Sequence, residues 1–92
     1  MNSQRMLNET ALITGGTRGI GYELARIFLQ EGCKVAICAR NQIEVNESVA
    51  VLQSKYPNHV MGIVCDVGDP LLVQDLVKTV IQQFGSLRIL VA

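Results

Sequence analysis

Tryptophan is absent from this sequence, and proline, tyrosine and phenylalanine each occur only twice. With little proline and no low-complexity tract, disorder is excluded outside the first few residues. An excess of one charge is missing too. Lys+Arg and Asp+Glu both number 8, so the formal net charge is zero. That removes any electrostatic argument for nucleic acid or an anionic membrane as partner. No apolar run is long enough to span a bilayer. The opening Met1–Asn8 is polar, carries Arg5 and lacks the apolar centre of a secretory signal. Cysteine is scarce and odd in number: Cys33, Cys38 and Cys65, with no C-x-x-C pair. Neither a zinc site nor a thioredoxin-like pair is indicated, and reduced, buried thiols in a reducing compartment are expected. The expected location is intracellular and cytoplasmic, with a mitochondrial one left open.

What is present is a soluble globular composition, 49% hydrophobic over 92 residues. We expect a polar leader over residues 1–8 and one small domain over 9–92. Thr10–Thr14 reads as a buried strand ending on glycines. Gly19–Glu31 follows helical spacing with Ile20, Leu24, Ile27 and Phe28 on one stripe, and Gly32 closes it. Lys34–Ala39 is a second strand. Asn41 with Glu44 three residues on is a capping-box-like start for a helix bearing Val45, Val49, Leu52 and Tyr56 on one face. Val60–Cys65 is a third strand. Asp69-Pro70 opens a third helix with Leu72, Leu76, Val80 and Phe84 in its stripe, and Gly85 ends it. Leu87–Ala92 starts a fourth strand.

The order βαβαβαβ, with strands apolar on both faces, predicts an α/β fold of the Rossmann type. It would be a parallel sheet with helices on both sides and strand order 3-2-1-4, a truncated half of the full fold.

Thr14-Gly15-Gly16-Thr17-Arg18-Gly19-Ile20-Gly21 joins the first strand to the first helix. Gly15 allows the sharp turn off the strand. Gly19 lets backbone approach a pyrophosphate, and Gly21 lets the helix pack closely on the sheet. Amides at the helix start, with the positive end of its dipole, favour a diphosphate. No Gly-Lys-Ser/Thr follows, which excludes a P-loop.

This T-G-G-T-R-G-I-G resembles the T-G-x-x-x-G-I-G signature of short-chain dehydrogenases/reductases. Three further segments resemble that family in order and spacing: Val35–Arg40, Cys65-Asp66-Val67, and Phe84–Val91. The resemblance runs from about Asn8 to Ala92 and points to NADP-preferring members, with likeness to 3-oxoacyl-carrier-protein reductases. It implies that Thr17 and Ile20 belong to the cofactor loop, that Asp66 binds the adenine amino group, and that Val67 packs beside the ring.

The cofactor expected is NADP. NAD-preferring folds place a carboxylate after the second strand to bind the ribose hydroxyls. Arg40 stands there instead, and a guanidinium suits a 2′-phosphate. Arg18 is a second cation that the resemblance places beside the same phosphate.

In the family, the catalytic tyrosine, lysine, serine and asparagine follow the fourth strand, so no catalytic residue is named in this chain. Tyr22 to Arg26 mimics Y-x-x-x-K, but arginine has too high a pKa for the lysine's proton-relay role. His59 is expected at the surface and Asp69 in a cap. The reading is therefore the NADP(H)-binding part of a reductase that moves hydride between NADPH and a carbonyl, with 3-oxoacyl substrates suggested by resemblance. The alternative is a non-catalytic nucleotide-binding or interaction module. Expected partners are NADP(H), with a second copy or a full-length relative paired along the fourth-strand edge. No nucleic acid, membrane or metal is expected.

Overall fold

A computed structural model describes residues 7–92. The expected leader falls mostly outside the described residues. Its last member, Asn8, donates its amide to the Gly32 carbonyl at 3.0 Å.

Seven elements follow in order: β1 (Thr10–Thr14), α1 (Gly19–Gln30), β2 (Lys34–Ala39), α2 (Gln42–Lys55), β3 (Val60–Val64), α3 (Pro70–Phe84) and β4 (Ile89–Val91). The strands form one parallel sheet in the order β3-β2-β1-β4. In the register, Leu12 faces Ala36 across β1–β2, and Ala36 faces Met61 across β2–β3.

Strand alternation splits the core into two layers. Ala11, Ile13, Val35 and Ile37 point to one face, where they meet Ala25 and Leu29 of α1 and Leu52 of α2. Leu12, Ala36 and Cys38 point to the other, against Leu76 and Val80 of α3. Helices thus cover both faces, two on one and one on the other. Burying a side chain such as Leu12 or Ile37 contributes about 1.5–3 kcal/mol each, so β1 and β2 anchor the domain.

Local signals set the helix ends. Asn41 accepts the Glu44 amide at 3.0 Å, and Asp69 accepts the Leu71 amide at 2.9 Å ahead of Pro70. Gly85 closes α3 in the left-handed conformation, at φ 91°.

Two expectations need correction. The α1 stripe was placed on Ile20, Leu24, Ile27 and Phe28, yet Ile20 and Ile27 are exposed. Ala25 and Leu29 face the sheet instead, with Leu24 and Phe28 packed at their margin. With Ala25 and Leu29 buried, Ile20 and Ile27 lie on other sides of the helix and face outward. Nor are all strands covered on both faces. β1 and β2 are, whereas in β3 Val64 is exposed and in β4 Leu90 is 59% exposed, because these two strands form the sheet edges.

Candidate functional site

The site begins where β1 ends. Gly15 turns off the strand at φ 71° and donates its amide to the Cys38 carbonyl of β2 at 2.7 Å. Gly19 opens α1 at φ 60°. Both angles lie in the left-handed region that glycine enters without a Cβ penalty. Helix α2 carries Asn41 as its side-chain cap and α3 carries Asp69, but the α1 N-cap, Arg18, makes no side-chain cap bond. The first amides of α1 are therefore left to another acceptor. An anion suits them, since they lie at the positive end of the helix dipole.

Gly16 and Gly21 make close packing possible. A β-carbon on Gly21 would overlap the carbonyl oxygen of Gly15, and one on Gly16 would lie 2.7 Å from Ile37 Cγ2. The close approach expected between Gly21 and the sheet is thus an approach to the loop's own backbone. Gly16, which was given no such role, is the glycine that lies on a sheet residue.

A cleft of about 800 Å³ opens at the carboxyl ends of β1, β2 and β3. Open α/β sheets bind ligands at this end of their strands. Six of the expected residues line it: Gly15, Thr17, Arg18, Arg40, Asp66 and Val67. The other three are Gly19, Ile20 and Gly21, which form the first turn of α1 behind the loop. Ile20 is 81% exposed there. Asp66 accepts the Gly68 amide at 2.9 Å, an Asx turn that fixes the carboxylate at the cleft wall.

The two arginines differ in their surroundings. Among the described residues, Arg18 pairs with Glu44, Arg26 with Glu23 and Arg88 with Glu9, whereas Arg40 has no carboxylate partner. Arg18 Nη2 lies 2.8 Å from Glu44 Oε2, Arg18 Nε donates to Glu44 Oε1 at 3.2 Å, and Thr17 Oγ1 donates to the same oxygen at 3.3 Å. One turn further along α2, buried Ser48 donates to the Thr17 carbonyl at 3.2 Å and ties the loop to that helix.

Glu44 was read from the sequence only as part of a helix start. The capping spacing was visible, but the ion pair spans 26 residues and no local pattern announces it. Cys38 and Cys65 also line the cleft. Both are buried free thiols, and burial, reinforced by Cys65 alongside, pushes the Cys38 thiol up to about 12. Cys33 is buried in the core. Tyr22, half-buried, packs against the core of the sheet face covered by α1 and α2. The Nδ1 of His59 meets the Pro57 carbonyl at 3.1 Å within its own turn.

The family model described as short chain dehydrogenase matches residues 9–92. This chain belongs to the short-chain dehydrogenase family. A relative, the chloroplastic chlorophyll(ide) b reductase NOL of Arabidopsis thaliana, is 47% identical over 66 residues. That match covers 72% of this chain and 19% of the relative. Among solved structures, the apo-form of glucose dehydrogenase from Caenorhabditis elegans superposes with a TM-score of 0.85 at 32% identity. It covers 94% of this chain and 37% of that one. An NADPH-bound short chain oxidoreductase from Pseudomonas aeruginosa PAO1, described as having an atypical catalytic center, superposes with a TM-score of 0.86 at 31% identity. There the coverage is 91% of this chain and 34% of that one. The matches thus span 19% to 37% of the length of these proteins. No described helix of this short-chain dehydrogenase chain is long and apolar enough to cross a membrane.

Proposed function

We propose that this chain is the NADP(H)-binding part of a short-chain dehydrogenase that moves hydride between NADPH and a carbonyl substrate. The observation that carries the reading is the uncapped start of α1, entered through two positive-φ glycines and flanked by a cleft that holds Arg18 and Arg40. Gly15, Thr17, Gly19, Ile20 and Gly21 would present backbone to the diphosphate. Arg40, which has no carboxylate partner among the described residues, would take the 2′-phosphate, with Arg18 on its other side. Asp66 would accept from the adenine amino group and Val67 would flank the ring. Bound nicotinamide would supply the hydride. This chain's own residues hold and orient its nucleotide half.

The working unit in this reading is residues 9–92 together with the rest of a longer enzyme, and the family match over those residues supports it. The carbonyl is a 3-oxoacyl thioester or a related ketone by family likeness, and the four matching segments fit other carbonyl substrates of the family as well. A reducing, cytoplasmic location accords with the free thiols of Cys38 and Cys65. One observation supports a second role. β4 is a sheet edge with Leu90 59% exposed, which suits pairing with a further strand, from the same protein or from another copy.

Calorimetric titration with NADPH and NADH tests the cofactor. NADPH should bind at least about tenfold more tightly, as charge-assisted bonds to one more phosphate imply. Arg40→Asp should reverse the order. Equal dissociation constants, or a ratio unmoved by Arg40→Asp, would refute the assignment.

A further inference from the structure

Arg18 and Glu44 are joined more closely than any other ion pair among the described residues. Two Arg18 donors and the Thr17 hydroxyl converge on one carboxylate. The carboxylate is held in place from behind. Glu44 sits in the first turn of α2, where its amide is fixed by Asn41 and the helix dipole favours a negative charge. It also lines the cleft itself, beside Arg40 and Asn41. The cation nearest the glycine loop therefore already carries an anion, supplied from an adjacent helix.

We propose that Glu44 is a specificity-determining residue that competes with the 2′-phosphate of NADPH for Arg18 and so narrows the preference for NADPH over NADH. The inference rests on the cofactor reading above. Glu44 occupies the Nε/Nη2 edge of the guanidinium, so a phosphate either takes that edge from it or uses the remaining Nη protons beside a carboxylate of like charge. A phosphate drawing on Nε and Nη2 of Arg18 must first displace Glu44, and it then lies beside a freed carboxylate of like charge. NADH has a hydroxyl at that position and meets neither cost. A carboxylate can in addition accept from ribose hydroxyls, which favours NADH further.

The test is titration of the 92-residue chain and its variants with NADPH and with NADH. Glu44→Gln keeps a residue that serves the capping pattern, so α2 retains its start. It should raise the NADPH/NADH affinity ratio by roughly two- to fivefold, the range spanned by exposed ion pairs. In an Arg18→Gln background the same change should raise it little, because the competition runs through Arg18. Asp75→Asn, exposed on α3, away from the cleft and outside any ion pair among the described residues, should leave the ratio unchanged. If the glutamine variant does not fold, Glu44→Met, of similar length and helix propensity, serves in its place. A ratio that stays constant or falls in Glu44→Gln would overturn the proposal, the fall identifying Glu44 as a buttress for Arg18. So would a gain that persists without Arg18. Failure of the cofactor reading would show separately, as a wild-type ratio near one, since the proposal is decided by the change in that ratio.

Discussion

Gly21, in the first turn of α1, lies so close to Gly15 that a β-carbon on it would overlap the Gly15 carbonyl oxygen and stand 3.2 Å from Gly16 Cα. The obstruction is backbone on both counts, so no side-chain rotation can relieve it. The helix start and the loop that precedes it are therefore one unit, and the unit requires glycine at position 21.

Gly21→Ala should force the loop away from the helix. It should destabilise the fold by about 1–3 kcal/mol, as overpacking does, and weaken dinucleotide binding at least tenfold. Gly19→Ala meets no atom within 4 Å but sits at φ 60°, so its cost is the left-handed backbone alone, about 1–2 kcal/mol. Urea unfolding of both variants, with binding measured at the same temperature, checks the contrast. Equal binding in Gly21→Ala and wild type would show that the loop does not carry the site.

Much of this was legible in the sequence because it is local. The strand–glycine–helix order, the caps at Asn41 and Asp69 and the stop at Gly85 are each written within about four residues. The strand order followed from apolar strands alternating with helices. What was not legible depends on tertiary contact. Ile20 and Ile27 fit a helical stripe, yet the face that meets the sheet carries Ala25 and Leu29. Gly16 against Ile37 and Arg18 against Glu44 join residues 21 and 26 positions apart.

Asn41→Ala removes the side-chain acceptor of the Glu44 amide. The stability loss should be about 1 kcal/mol. The same change also loosens the turn that places Glu44 against Arg18, so the NADPH/NADH ratio should rise with it. Denaturant midpoints and paired titrations measure the two effects; a stability loss with no movement of the ratio would show that the cap does not position Glu44.

Ser48→Ala deletes the bond that holds the Thr17 carbonyl to α2. The hydroxyl is buried, and the carbonyl would lose its partner, so a cost of about 1–2 kcal/mol is expected. Amide hydrogen exchange should accelerate in the Gly15–Gly19 loop more than in β2. Uniform protection across both segments would contradict the tether.

The Cys38 thiol, pushed up to about 12 by burial and by Cys65, makes the fold sensitive to alkali. Its acidity is lower in the folded chain than in the unfolded one, whose value lies near 9.0. The stabilisation is complete below about pH 9 and is lost as pH rises through the interval up to about 12. Thermal melts should therefore fall across that interval, and less steeply in Cys38→Ala. Iodoacetamide, which requires the thiolate, should label Cys38 slowly in the folded chain at pH 8 and quickly in urea. Rapid labelling under native conditions would place the thiol in a more open setting.

The central claim is that the amides at the start of α1 receive a dinucleotide's phosphates. Titrating ¹⁵N-labelled chain with NADPH and following each amide by NMR tests it most directly. The largest shifts should fall on Thr17, Arg18, Gly19, Ile20 and Gly21, with smaller ones at Arg40, Asp66 and Val67, and the amides of α3's last turn should stay still. Saturable binding that leaves the Thr17–Gly21 amides unmoved would contradict the account.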